Sequence, residues 1–360
     1  MHYIKFLKLP IIVRGERKST SIKTVVAVTT DLGDDYFPDD LPLQFEVNEL
    51  RPEKNSKKVI AQSHQWRPGM RALPVELRLT ITMTSSYTLH VHANDSSYST
   101  EFSFSNSILV TPSIMPVISP PFGGSQSTAV DFDVIRPLRM TQSHELSIYE
   151  ATGDSIARHI WDGSVAFCGL IDQASVRKSG ISFLDKVVSD VDAKGIFNII
   201  ELGAGVGLAG LALARVMPRA NVLLTDVPEV EALLGRSIAA NKMDSTKVTF
   251  EVLDWEHEVP STIGKQTFDL IMVSECTYNE DSIPALVNVL SQLMSQSAEA
   301  AILVATKQRH ENERIFYDLM KKADFVLLEQ THAVCPRNFS IDDPEDVDTV
   351  NIYTYRYAKN

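Results

Sequence analysis

The chain has 360 residues, 44% apolar and 22% charged, with a net charge of −12, enough to bury one large core or two moderate ones. The charge is uneven: residues 1–127 hold 13 basic and 12 acidic side chains, residues 128–360 hold 21 and 34. An acidic C-terminal two-thirds repels nucleic acid; it is the balance of an ordinary acidic soluble protein and also suits a basic segment of a protein partner.

The first residues, MHYIKFLKLPIIV, are apolar but broken by Lys5, Lys8 and Pro10 with no cleavage site after them, a poor signal peptide. Residues 31–42, DLGDDYFPDDLP, read as an acidic, proline-broken loop. Strands are expected at 75–83, 87–93 and 98–104, where β-branched and aromatic residues partly alternate between Ser/Asn/Asp turns. His90 and His92 share one face of the second of these. No Cys or carboxylate stands at ligand spacing beside them, so no metal site is expected. Prolines and glycines crowd 111–127, the composition of a linker or long loop. The expected division is a β-rich accessory region over 1–118, a linker over 119–127 and a catalytic domain over 128–360.

From 196 onward strands and helices alternate. Buried strands are expected at 196–202, 221–226, 247–254, 268–275, 300–307, 325–332 and 349–358, and helices at 206–217, 228–241, 282–296 and 311–323. Helical crossovers require a mostly parallel sheet. Only the acidic stretch 333–348 joins the last two strands, which suits an antiparallel hairpin. The fold class is doubly wound α/β, Rossmann-like, with seven strands plus the N-terminal β-rich region.

In such a sheet ligands bind at the carboxyl ends of the strands. The first strand ends in IIELGAGVGLAG, where Gly205, Gly207 and Gly210 spell G-x-G-x-x-G, the loop that brings a backbone close to a pyrophosphate. Glu201 stands two residues before Gly203. A carboxylate opposes a pyrophosphate but favours a cationic ligand, and S-adenosylmethionine offers an ammonium and a sulfonium. Asp226, ending the second strand, is placed to grip the hydroxyls of a ribose, although it also reads as a turn residue before Pro228. Asp254 offers an acceptor to an adenine amino group and Trp255 a stacking face, although a tryptophan there also packs as core.

These residues resemble a known family. The stretches ELGAGVG (201–207), TDVP (225–228), LDW (253–255) and SECTY (274–278) look like the seven-strand, class I S-adenosylmethionine-dependent methyltransferases. More narrowly they resemble the protein-lysine methyltransferases of methyltransferase family 16. ARHIWDGSVAF (157–167) and KQRHENERIFYDLM (307–320) are similar to that family's Trp-Asp-Gly and Arg-x-x-x-Glu-x-x-Phe segments. The resemblance spans about 145–358 and says nothing of 1–127. It implies S-adenosyl-L-methionine as cofactor, lined by Trp161, Gly203, Ala204, Gly205, Asp226, Trp255 and Ser274. The family's Asp-x-x-Tyr is here Glu275-Cys276-Thr277-Tyr278, with the acid one methylene longer. Glu275 and Tyr278 are the expected catalytic pair, orienting the acceptor amine.

The expected activity is therefore methyl transfer to a protein side chain, lysine foremost. The rivals are an NAD(P)-dependent oxidoreductase that uses the glycine loop literally, and a non-catalytic binding module on the same fold. Three scattered cysteines without a C-x-x-C pair point to a reducing compartment, cytoplasmic and also nuclear. No run of about 18 apolar residues marks a membrane span. Nothing in the sequence sets an oligomeric state.

Overall fold

Strands build the first half of the chain: β1 (His2–Arg14), β2 (Thr20–Thr29), β3 (Leu41–Arg51), β4 (Lys54–Trp66), β5 (Leu73–Arg78), β6 (Tyr87–Ala93), β7 (Phe102–Ser103), β8 (Ile114–Met115), β9 (Val117–Ile118), β10 (Val134–Arg139) and β11 (Glu145–Glu150). The architecture comes from a computed structural model. It describes all residues except 15–19, 52–53, 79–84, 95–101, 105–113, 125–132, 142–144, 153–155, 177, 190–194, 310, 337–346 and 359–360.

In β3, Leu41, Leu43, Phe45 and Val47 are buried while the residues between them are half-exposed, the two-residue period of a sheet covered on one face. One sheet runs β5-β2-β1-β8 and a second β11-β10-β9-β6-β3-β4, with β7 beside β10. Their inner faces share one core, in which Ile4, Phe6, Ile22 and Val26 meet Phe45, Trp66, Leu89 and Val91. Arg136 braces the sandwich from inside. Its guanidinium pairs with Glu150 at 2.5 Å and donates to the carbonyls of Ile4 and Pro116.

The strand expected at 87–93 is β6. That expected at 75–83 begins as β5, and its residues 79–83 lie outside the described residues. Of the third, only Phe102 and Ser103 are described as strand. The four long strands between 2 and 66 were not anticipated. In β1, Lys5, Lys8 and Pro10 interrupt the alternation, and its pairing with β2 shifts register at Phe6–Lys8 and again at Lys8–Ile11.

The second half is β12 (Asn198–Leu202), β13 (Asn221–Asp226), β14 (Val248–Val252), β15 (Leu270–Ser274), β16 (Ala301–Lys307), β17 (Phe325–Pro336) and β18 (Val347–Tyr357). Their order is β14-β13-β12-β15-β16-β18-β17, parallel except that β18 runs antiparallel to both neighbours. This is the doubly wound seven-stranded sheet with a final hairpin. Helices α1 (Asp162–Val176), α2 (Ser182–Ser189), α3 (Leu208–Val216), α4 (Glu231–Ala240), α5 (Ser261–Gly264), α6 (Ile283–Gln296) and α7 (Ile315–Lys322) flank it. Val165, Phe167, Leu211 and Leu233 fill one face, and Leu286, Leu290 and Phe316 the other.

The two halves are stitched together. β10 and β11, inside the span expected for the catalytic domain, are hydrogen-bonded into the N-terminal sheet. From β11, the Tyr149 N–H donates to Ser237 Oγ, and Ser147 exchanges two hydrogen bonds with Asn241, which caps α4. Tyr3 donates its hydroxyl proton to Asp162 at 2.8 Å.

Candidate active site

The glycine loop follows β12 because its backbone turns where side chains do not fit. Gly203 has φ +66°, and a Cβ there would lie 2.5 Å from Cys276 Sγ and 3.1 Å from the Trp255 ring. Gly210 serves packing instead. A Cβ on it would meet Leu224 and the Glu201 carboxylate, so the third glycine lets α3 lie close on the sheet.

A cavity of about 680 Å³ opens at these strand ends, lined among others by Trp161, Gly203, Ala204, Gly205, Asp226, Asp254, Trp255, Ser274, Glu275 and Tyr278. Ten of the eleven residues expected from the sequence thus share one cavity. Glu201 is set behind the loop, 1% exposed, accepting the Gly210 N–H at 2.9 Å. Burial pushes its carboxyl up to about 8, against that hydrogen bond. The backbone of the loop is anchored by Asp226, which accepts from the N–H groups of Gly205 at 2.6 Å and Val227 at 2.7 Å. Burial raises the Asp226 pKa, and the two hydrogen bonds oppose that.

Two observations fit a nucleoside-bearing cofactor. The loop brings the bare backbone of Gly203 and Gly205 to the cavity wall. Trp255 Nε1 is buried with no hydrogen-bond partner among the described residues, a donor that a polar ligand atom would satisfy. Asp254, over a third exposed, caps its own turn through the Glu256 N–H and His257 Nδ1. Ser274 Oγ lies 3.2 Å from Ser164 Oγ.

Glu275 directly follows β15 with φ +57°, a left-handed conformation that costs a non-glycine residue roughly 1 kcal/mol or more. Its backbone N–H is held by the Ala305 carbonyl. Its carboxylate accepts from the Lys307 N–H at 2.7 Å and from the Arg309 guanidinium at 2.9 Å. The Trp-Asp-Gly segment has a steric reason here, since a Cβ on Gly163 would overlap the Glu275 carboxylate. Burial pushes the Glu275 pKa up to about 7, against the pull of Arg309. Tyr278 is half-exposed at the cavity rim, and burial raises its pKa.

Several polar residues of this centre went unassigned in the sequence. Arg309 also bonds Asp31, 2.8 Å away on the loop after β2, and lies 5.3 Å over the Trp161 ring. Lys307 pairs with Asp162 at 2.9 Å and Asp348 at 2.7 Å. Burial opposes its charge, yet Asp162 and Asp31 hold the ammonium above its ordinary pKa. Arg309 and Lys307 lie in the 307–320 segment, which was legible as a motif but carried no role. Asp31 is 278 residues from Arg309, and no local spacing signals it. Of the acidic run 342–348, only Asp348 is described; Asp342, Asp343, Glu345 and Asp346 lie outside the described residues.

Away from this centre, Glu46 supplies the carboxylate that the sequence did not place near His90 and His92. One ligand atom from each of the three lies within 4.8 Å of the others. Lys58 Nζ occupies Glu46 Oε1 at 2.5 Å.

Among the described residues no helix is long and apolar enough to cross a membrane. A family described as lysine methyltransferase matches residues 140–323. The UPF0665 family protein C23C4.06c of Schizosaccharomyces pombe is 26% identical over 325 residues, 88% of this chain and 91% of that protein. Protein-lysine N-methyltransferase EFM2 of Saccharomyces cerevisiae is 25% identical over 53% of this chain and 46% of its own length. Protein N-lysine methyltransferase METTL21A of Danio rerio is 25% identical over 57% of this chain and 78% of its own. The oxidoreductase and non-catalytic readings give way to these matches, and the resemblance read from the motifs holds: the chain belongs to the lysine methyltransferase family.

Proposed function

We propose that the cavity at the carboxyl ends of β12, β13, β14 and β15 holds S-adenosyl-L-methionine, and that the methyl acceptor is a lysine ε-amine in a basic segment of a protein. The observation that carries this is the convergence of the Gly203–Gly205 backbone, the Asp226 carboxylate and the unpartnered Trp255 Nε1 on one cavity. When bound, the cofactor supplies an activated methyl group on a sulfonium. The protein supplies position and electrostatics. Asp226 is assigned to the ribose hydroxyls, Trp255 and Asp254 to the adenine, and Trp161, Gly203, Ala204, Gly205 and Ser274 to the remaining contacts. Glu201 meets the ligand's positive charge from behind the loop, and an approaching cation would draw its pKa back down.

A lysine amine must lose its proton before it can attack. With a reference pKa of about 10.4, roughly 1 in 2,500 is neutral at pH 7. A free carboxylate at the acceptor end would favour the protonated form. Glu275 is instead engaged by Arg309, so its charge is compensated, and its role with Tyr278 is to orient the amine. Residues 1–118 are the accessory region, completed beyond the 119–127 link by β10 and β11, which pair into its sheet; the rest of 128–360 is the catalytic domain. The buried, unpaired thiols Cys168 and Cys276 support a reducing compartment, cytoplasm and also nucleus.

The test uses purified protein, tritiated S-adenosylmethionine and an extract of methionine-starved cells, with acid hydrolysis of the labelled protein. Label in Nε-methyllysine is expected. Label confined to methylhistidine or methylarginine would overturn the acceptor assignment.

A further inference from the structure

The loop after β2 reaches out of the N-terminal sandwich into the active site. It is a closed turn. Thr29 and Tyr36 pair across its base, Gly33 turns with φ +76°, and the Gly33 N–H donates to the Thr30 carbonyl at 3.1 Å. The loop carries Asp31, whose side chain is 1% exposed. Lys5 of β1 donates to its backbone carbonyl at 2.8 Å, and its Oδ1 accepts the Leu32 N–H at 2.9 Å. The sandwich thus fixes where this carboxylate points.

Beyond its own loop the carboxylate meets the catalytic half. Asp31 Oδ2 accepts from Arg309 Nη2 at 2.8 Å and from the Asp162 N–H, at the start of α1, at 3.3 Å. Oδ1 stands 3.9 Å from Lys307 Nζ. A helix N-terminus and two cations compensate a carboxylate taken out of water. The decisive contact is shared. The same nitrogen, Arg309 Nη2, also donates to Glu275 Oε2 at 2.9 Å, while the guanidinium lies 5.3 Å over the Trp161 ring. One donor between two acids ties their positions together, because charge-assisted hydrogen bonds are short and strong. Glu275 and Trp161 both line the 680 Å³ cavity, and Asp31 does not. Without Asp31, the largely buried Arg309 would keep one of these two carboxylates.

We propose that Asp31 is a positioning residue for methyl transfer, supplied by the N-terminal sandwich: it pins Arg309 against Glu275 and the Trp161 ring, and the site is incomplete without it. The inference rests on the methyltransferase reading above and gives residues 1–118 a part in that site. Asp31 acts through Arg309 on the orientation of Glu275. The 140–323 span matched by the family contains Asp162, Glu275, Lys307 and Arg309 but not Asp31. The half of the chain that carries the motifs thus draws this anchor from the other half.

The test is a double-mutant cycle on the full-length protein with Asp31→Asn, an isosteric change, and Glu275→Ala. Each variant is titrated calorimetrically with S-adenosylhomocysteine and assayed for the initial rate of tritium transfer into extract protein from methionine-starved cells. S-adenosylhomocysteine affinity within threefold of wild type is expected throughout, with transfer at least fivefold slower in Asp31→Asn. The double variant is expected to be as slow as Glu275→Ala alone, because residues that act through one another are not additive. The pH profile of the rate reads the same link. Glu275, pushed up to about 7 by burial, faces Arg309, Asp31 and the Lys307 N–H. Removing the Asp31 charge favours the ionised Glu275, so the break in the profile near that pH is expected to move to lower pH in Asp31→Asn. Lys5→Met, which frees the Asp31 carbonyl, is expected to change rate and profile in the same direction by less. Should Asp31→Asn fail to fold, a wild-type rate and profile in Lys5→Met would overturn the role. So would a wild-type rate and an unmoved break in a folded Asp31→Asn, or rate losses that multiply in the double variant; each leaves the methyltransferase reading intact. A wild-type protein that binds S-adenosylhomocysteine and labels no extract protein would remove both.

Discussion

Asp226 and Glu275 are two buried carboxyls on either side of β12, at the ends of β13 and β15, and the difference between them is their partners. Asp226 accepts only backbone N–H groups, so it keeps lone pairs for a diol, and Asp226→Ala removes those acceptors. At about 1–3 kcal/mol for a buried hydrogen-bonded group, the loss in S-adenosylhomocysteine affinity is expected to be roughly ten- to hundredfold. Calorimetry reads this directly. Glu275 faces an arginine, and Glu275→Ala leaves Arg309 buried with one carboxylate fewer. Turnover is expected to fall at least tenfold for Glu275→Ala and severalfold for Tyr278→Phe, with cofactor affinity unchanged in both. Wild-type turnover in both variants would remove the catalytic assignment. At this scale the sequence carried the residue types at strand ends but not their pairing. The pairing of Glu275 was not legible because its partner Arg309 lies 34 residues on, across a strand crossover.

At the scale of the element, the glycine loop and the Trp-Asp-Gly turn are set by close approach. Gly163→Ala would drive a methyl group into the Glu275 carboxylate. It is expected to abolish turnover while leaving S-adenosylhomocysteine binding within about fivefold, since Gly163 does not line the cofactor cavity. The catalytic sheet was legible because parallel strands buried on both faces are continuous apolar runs bounded by helices. β1 to β4 were less legible. Their outer faces carry Lys, Glu, Gln and Ser, and a run such as VNELRPEKNSKKV reads as polar loop until its partner strand is known. Arg136 illustrates the cost of that hidden context. It is 1% exposed on a half-polar strand, bonded to Glu150 and to the carbonyls of two other segments. Arg136→Leu leaves Glu150 buried with one cation fewer, and removing one partner of such a pair destabilises by about 3–5 kcal/mol. Thermal denaturation is expected to show a drop of roughly 6–20 °C; a midpoint within about 2 °C of wild type would contradict the brace.

For the whole molecule, opposing carboxyl shifts define how stability changes with pH. Burial raises the Glu150 pKa, but Arg136 and His159 outweigh it and hold Glu150 down near about 2, against an ordinary 4.5. Its contribution is therefore present above about 4.5 and is lost as pH falls towards 2. Glu201 and Glu275 are raised by burial, to about 8 and about 7. Their contributions are complete below about 4.5 and are lost as pH rises through those values. The ligand-free protein is thus expected to be most stable near pH 5 and to lose stability towards pH 8. Glu201→Gln should flatten the alkaline limb in a series of denaturation midpoints; an unchanged limb would show that Glu201 is already ionised. The acidic balance of 128–360 and the stitching of β11 to α4 belong to this scale as well. Charge was readable from composition, whereas the contact between the halves was not, because it rests on pairs such as Asp31 with Arg309, separated by most of the chain.

The most direct measurement is a calorimetric titration of the purified protein with S-adenosylhomocysteine, with NAD in parallel, on wild type and Asp226→Ala. Micromolar binding of S-adenosylhomocysteine alone, weakened at least tenfold by Asp226→Ala, is the result expected if the strand-end cavity holds the methyl donor. Binding of NAD instead, or S-adenosylhomocysteine binding indifferent to Asp226, would contradict the site as assigned.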